Sequence, residues 1–301
     1  MIMTMTLALK QRIVKKIQEH YQIDFQFYFH TIKWSSLAHV STIIRGASTT
    51  FLMTRLLSIQ TFGEFRYLLV LFGLAGSFSL SGISTGIIKG IAQGDTSIVR
   101  TGIKKMFLTS FLGSFLLVLF SGYKLFRQDV PLSIHAGLLA ILFPLYSICG
   151  VFQPILIGKQ SIRKGYQLTT IVNLIYAVLF TVLLIYTKKL SYLITGYFLI
   201  EILLKGVISI REVKNTSHRG DSREHMRLVS HISLINIAQG IIFQLDQILV
   251  QHFFGYTSLA KFNIAILIPD QLKDLLTSFS SVMLRRFSTY KNPKQVLQNT
   301  Q

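Results

Sequence analysis

Cysteine is nearly absent from this chain. The only one in 301 residues, Cys149, sits inside an apolar stretch, so neither a disulfide framework nor a thiolate metal site can be assembled. The eight histidines are scattered without zinc spacing, and no metal or cofactor is expected. No Gly-Lys-Ser or Gly-Lys-Thr closes a phosphate loop, and the residues between apolar stretches are too few for a nucleotide-binding or other globular domain. The chain is therefore not expected to be an enzyme or to drive transport by ATP hydrolysis. Acid is scarce as well: 12 Asp and Glu face 31 Lys and Arg, a formal net charge of +19.

Long apolar runs take up most of the sequence. A helix rises about 1.5 Å per residue, so about 20 apolar residues cross a hydrocarbon core of about 30 Å. Eight windows reach or approach that length: Ser35 to Leu57, Tyr67 to Ile88, Met106 to Tyr123, His135 to Ile157, Leu168 to Thr187, Leu190 to Ile210, His231 to Phe254 and Leu259 to Val282. They predict an all-α polytopic membrane bundle.

The cations between these spans are unevenly shared. Five precede the first span, and Lys89, Arg100, Lys104 and Lys105 follow the second. Lys159, Arg163 and Lys164 follow the fourth, Arg211, Lys214, Arg219, Arg223 and Arg227 the sixth, and Arg285, Arg286, Lys291 and Lys294 the eighth. The alternate loops hold only Arg66, Lys124, Arg127, Lys188, Lys189 and Lys261. Positive loops remain cytoplasmic, which puts both termini inside. The charge reads as topology plus attraction to anionic membrane lipids, with no nucleic-acid partner required. In the leader, Leu9, Ile13, Val14 and Ile17 recur at helical spacing among Lys10, Arg12, Lys15 and Lys16, as in a basic helix lying on the inner leaflet or a plain solvated leader.

Polar residues inside spans carry the functional information, because a charge at the bilayer centre costs about 2.5 to 3.5 kcal/mol and persists where it faces a partner or water. The first span has Arg45 near its middle and Arg55 near its outer end, about 80° apart around the axis. Guanidinium matches phosphate oxygens, so these residues are candidates for an anionic-substrate cavity, although Arg55 can also snorkel to headgroups. The seventh span carries Gln244, Gln247 and Gln251 as a stripe, with Asp246 its only acid. The amides suit sugars or interhelical hydrogen bonds; Asp246 suits an arginine partner, a substrate contact or a coupling ion. Glu201 and Lys205, four apart, are expected to neutralise each other, and Asp270, Lys273 and Asp274 follow Pro269 under the same logic. Gly73, Gly76, Gly82, Gly86 and Gly90 mark the second span as a close-packing surface, while Pro144, Gly150 and Pro154 make the fourth deformable.

Several of these segments resemble one family. The run Arg55-Leu56-Leu57-Ser58 through Phe62-Gly63-Glu64-Phe65, the glycine-rich second span ending near Gly86, and Asp246 through Ile248-Leu249-Val250 to Ala260-Lys261-Phe262 and Pro269 are similar to polysaccharide and O-antigen flippases. These belong to the multidrug/oligosaccharidyl-lipid/polysaccharide exporter superfamily. The resemblance implies two six-helix lobes around a cavity that opens alternately to each side. The substrate it implies is an undecaprenyl-pyrophosphate-linked oligosaccharide, flipped across a bacterial inner membrane for surface polysaccharide synthesis, with glycan-assembly membrane proteins as possible partners. Family members have 12 or more helices, so the expected layout is a leader (1–34), a six-helix lobe (35–210), a cytoplasmic loop (211–230), the first two helices of a second lobe (231–282) and a cytoplasmic tail (283–301). The alternatives are a cation-coupled multidrug exporter, which would favour acids in its cavity, and a membrane glycan polymerase or a non-transporting assembly partner.

Overall fold

The computed structural model describes residues 25–217 and 219–287, with side-chain surroundings for 33–217, 219–267 and 269. Every regular element among the described residues is a helix: α1 Phe25–Leu56, α2 Ile59–Ser77, α3 Ile83–Ala92, α4 Ser97–Phe126, α5 Val130–Cys149, α6 Phe152–Gly158, α7 Ile162–Tyr186, α8 Leu190–Lys214 and α9 Arg223–Phe287. Five stretches are long and apolar enough to cross a membrane: Ser97–Phe126, Val130–Gly158, Ile162–Tyr186, Leu190–Lys214 and Arg223–Leu267. Their polarity is turned outside in. Phe111, Leu112 and Phe115 on α4 and Val178 and Ile185 on α7 are exposed, while Ser110, Ser114, Asn173, Glu201 and Ser209 are buried. Water would select the opposite arrangement, and lipid tails select this one. The molecule is an integral membrane helix bundle.

The apolar windows coincide with helices, but their ends and continuity differ. The first does not begin at Ser35, since α1 already starts at Phe25. The second is broken: α2 stops at Ser77 and α3 starts at Ile83. Ser79 Oγ recovers one freed carbonyl by donating to Gly76 O at 2.7 Å, and Ser233 Oγ accepts from Gly82 N at 3.0 Å. The fourth window splits at Gly150–Val151 into α5 and α6, where Ser209 of α8 donates to Cys149 O and accepts from Phe152 N at 3.2 Å. One hydroxyl thus occupies a carbonyl and an amide at the break, as irregular backbone at membrane depth requires. The seventh and eighth windows fall on α9, which is interrupted at Gly255 (φ 78°, ψ −179°), a backbone conformation that favours glycine. Arg66, expected in a loop, lies on α2, because only Leu57 and Ser58 separate α1 from α2. Ser58 makes that turn abrupt by capping α2, its Oγ accepting from Thr61 N at 3.1 Å.

α2 and α3 run against α9. A Cβ on Gly63 would sit 2.1 Å from the backbone oxygen of Tyr256, and one on Gly86 would sit 2.2 Å from Val229 Cγ2, so the missing side chains set the distance between these helices. Phe65, Leu68 and Phe72 of α2 continue into a core with Phe143 of α5, Tyr176 and Phe180 of α7 and Phe198 of α8. At one end, the loop after α8 is fastened to the turn between α3 and α4. Thr96 N and Ser97 N donate to Arg219 O at 2.9 and 3.1 Å, and His225 Nδ1 lies 3.0 Å from Asp95 Oδ2. α8 continues to Lys214 and α9 starts at Arg223, so residues 215–222 lie between the two helices. The side chains of Asp270, Lys273 and Asp274, the leader before Phe25 and the tail beyond Phe287 lie outside the described residues.

Candidate functional site

Arg45 stands at the junction of three helices. From α1 its Nη2 donates to Glu201 Oε2 of α8 at 2.8 Å, while Nη1 donates to Asn173 Oδ1 of α7 at 3.3 Å. Its guanidinium carbon lies 3.7 Å from the centroid of the Tyr176 ring. Asn173 and Tyr176 are three apart on α7, so they present an amide and a π-face in neighbouring positions. Asn173 is itself oriented: its Nδ2 donates to Ser41 Oγ and Thr42 Oγ1, each at 3.0 Å, and both hydroxyls donate on to Ala38 O. The amide oxygen is thereby turned toward Arg45.

Glu201 is the acid of this cluster, and it serves two cations. Lys205, one turn along α8, pairs with Oε1; Arg45 pairs chiefly with Oε2, its Nη1 reaching Oε1 at 3.5 Å. The Glu201 and Lys205 contact follows the expected four-residue spacing; Arg45 joins it from another helix. Two cations share one carboxylate, which leaves the cluster with a formal charge of +1. The cost of burying Arg45 is offset by this pair, the Asn173 hydrogen bond and the ring face, so no ligand is needed to keep it in the membrane.

Arg45 also borders a small cavity of about 70 Å³, with Thr49 and Thr50 of α1, Arg66 of α2 and Tyr197 of α8 among its walls. Two arginines and, among the described residues, no acid line it. Arg66 donates through Nε to Asn263 Oδ1 of α9 at 2.8 Å and through Nη2 to the same oxygen. Tyr197 and Leu69 are shared with a larger cavity of about 410 Å³, bounded by Gly73, Gly76, Ser79 and Ser81 at the break between α2 and α3, and by Tyr146 and Ser147 of α5. This volume falls in the range of about 300 to 1,000 Å³ of small-molecule sites. A small, cation-lined corner beside a roomier chamber of aromatic, glycine and serine residues is the chemistry available here.

The other expected site residues are dispersed. Arg55 is exposed at the end of α1, with its guanidinium 5.4 Å from the Phe51 ring centroid, and it does not join Arg45. Asp246 is exposed on α9, and its Oδ1 accepts from Gln247 N at 2.8 Å; the acid that pairs with Arg45 is Glu201. Gln244 lies against Gly73, so it borders the wall of the larger cavity from outside. The Oε1 atoms of Gln244 and Gln247 are buried without a hydrogen-bond partner among the described residues, and Gln251 is half-buried. Asn173, Tyr176, Tyr197, Arg66 and Asn263 are not among the residues that the sequence marks as site candidates. Asn173 had a readable signal, being an amide inside a strongly apolar window.

The family profile described as polysaccharide biosynthesis protein matches residues 30–289. No curated protein matches the chain. Among solved structures, an outward-facing multidrug resistance MATE-family transporter of the MOP superfamily is 13% identical with a TM-score of 0.56, over 86% of this chain and 65% of its own. A MOP-superfamily transporter from Pyrococcus furiosus Vc1 (DSM3638), described as having a binding pocket of reverse polarity that suggests a different function, is 14% identical with a TM-score of 0.57, over 87% and 65%. A third, described only as protein A, is 11% identical with a TM-score of 0.63, over 89% and 66%. At these identities the likeness concerns the fold, and the chain spans about two thirds of the length of the structures it matches.

Proposed function

We propose a transport function from the premise that the chain belongs to the family of polysaccharide biosynthesis proteins: it carries polyprenyl-pyrophosphate-linked oligosaccharide from the inner to the outer leaflet of a bacterial inner membrane, by alternating access. The observation that supports this most is a cavity wall that includes Arg45, Arg66, Thr49, Thr50 and Tyr197 and, among the described residues, no acid. A cation-exporting site needs carboxylates facing the ligand, whereas this one turns its carboxylate, Glu201, behind Arg45 toward Lys205. A pyrophosphate headgroup cannot cross hydrocarbon unaided, because a charge there costs many times thermal energy. The role of the protein is to supply a polar path, with no bond made or broken. In this reading the first lobe comprises 35–210, the second begins at 231, both termini face the cytoplasm, and the sugars occupy the chamber beside Tyr146, Ser147 and Tyr197.

The test compares Arg45→Ala with Arg55→Ala in cells whose surface-glycan export depends on this protein. Arg45→Ala is expected to reduce export at least about tenfold at unchanged membrane abundance, and Arg55→Ala to leave it nearly intact, since an exposed arginine reaches headgroups or water without a ligand. Normal export by Arg45→Ala would remove the anionic-substrate reading.

A further inference from the structure

The two cations on Glu201 are not equivalent. Lys205 comes from the same helix, one turn away, and holds Oε1 whatever the neighbouring helices do. Arg45 comes from α1, holds Oε2 at 2.8 Å and borders the cavity, whereas Glu201 is not among the residues that line it. An anion arriving in the cavity therefore meets an arginine that already carries a carboxylate. Asn173 and Tyr176 grip Arg45 independently of Glu201. Arg45 has two anchors that need not move and one anionic partner that can be exchanged.

We propose that Glu201 is an internal competitor for Arg45. It occupies the guanidinium when the cavity is empty and cedes it to a phosphate group of the substrate, while Lys205 keeps the released carboxylate neutralised. This inference rests on the anionic-substrate reading above and deepens it. A carrier must let go as well as bind, and a pyrophosphate held by a bare buried guanidinium has no easy exit. Return of Glu201 to Arg45 supplies the replacement partner, so the arginine never stands unpaired in a dry site. Without Lys205 the exchange would only move the unpaired charge from arginine to glutamate. The pairing of Glu201 with Lys205 thus acquires a purpose that self-neutralisation alone does not give it.

The experiment titrates inorganic pyrophosphate, as a headgroup probe, onto the chain in phosphatidylcholine nanodiscs and reads affinity by calorimetry. Glu201→Gln removes the competitor and raises the formal charge of the cluster; the double variant Glu201→Gln/Lys205→Met removes the competitor but restores the parent charge of +1. Both are expected to bind about tenfold tighter than the parent, because the fraction of sites with an available guanidinium rises. The double variant has no unbalanced pair of cations and carries the test if the single one does not fold. Arg45→Gln is expected to lose binding. Tighter binding by the single but not the double variant would assign the effect to net charge and overturn the competition. Unchanged or weaker binding by both, with loss in Arg45→Gln, would overturn it too and leave the anion site standing. Parent-like binding by Arg45→Gln, or binding by no variant, would overturn the anion site itself.

Discussion

Replacing Gly63 by alanine should be among the most damaging single-methyl additions in this protein. A Cβ there would lie 2.1 Å from Tyr256 O and 2.6 Å from Tyr256 C, whereas real Cβ atoms essentially never come within 3.0 Å of another heavy atom. The backbone at Tyr256 must therefore retreat by at least 0.9 Å, the difference between 3.0 and 2.1 Å. It cannot do so alone. Tyr256 sits next to the Gly255 interruption, its ring meets Tyr67 edge-on at 5.7 Å, and two turns further along α9 Asn263 receives Arg66. Overpacking costs about 1 to 3 kcal/mol when a flexible side chain can yield, and backbone contact places this site at or above the upper end. A loss of about 3 kcal/mol is roughly a hundredfold in the unfolding equilibrium. Gly76, on the same helix with nothing within 4 Å of its virtual Cβ, is the internal control. Gly76→Ala should change stability by less than about 0.5 kcal/mol. The measurement is thermal or SDS-driven unfolding of the purified chain in detergent. Equal midpoints for the two variants would refute the close approach of α2 to α9.

Two further outcomes follow from the breaks and the loops. Ser209→Ala should destabilise the bundle by about 2 kcal/mol, because Cys149 O and Phe152 N both lose their partner at the α5–α6 break, and Ser209→Thr should recover most of the loss; equal unfolding midpoints for serine and alanine would refute the bridge. Reporter fusions should read cytoplasmic at Arg100, Arg163 and Arg219 and external at Lys124 and Lys189; an external signal at Arg219 would invert the orientation, since cation-rich loops resist translocation.

Helix content was legible from hydropathy because lipid removes the alternatives: an apolar run of about 20 residues must satisfy its own backbone, and a helix does so within the segment. Helix continuity was not legible. The window from Tyr67 to Ile88 breaks between Ser77 and Ile83, where Ser77, Ser79, Ser81 and Gly82 thin the apolar run without fixing where the helix stops. What permits the break is Ser233, 151 positions beyond Gly82, whose hydroxyl takes the freed amide. The α5–α6 break depends in the same way on Ser209. The packing surface that the glycines mark holds at Gly73, Gly82, Gly86 and Gly90, which meet Gln244, Val229 and Ile98, but Gly76 faces open space and the tightest approach to a backbone atom belongs to Gly63, whose sequence context marks only a turn. Small residues announce that something can come close, and only the fold decides what does.

The same distinction separates the arginines. Depth along the first span marked Arg45 as needing a partner and Arg55 as able to do without one, and the environments agree: Arg45 is paired and stacked, Arg55 exposed. Depth could not name the partner. Asp246 offered the plainer candidate because it was the only acid in its window, and Glu201 looked accounted for by Lys205. A carboxylate has two oxygens, however, and one lysine at helical spacing reaches only one of them. Oε2 remained available to whichever helix packed across α8, and α7 brings Asn173 and Tyr176 beside the same point to receive the guanidinium. An intramembrane acid with a single cation on its own helix therefore still has capacity for a second cation from elsewhere. Wherever that second cation also borders a cavity, as Arg45 does, the pair becomes a place where a ligand anion can trade with the protein's own.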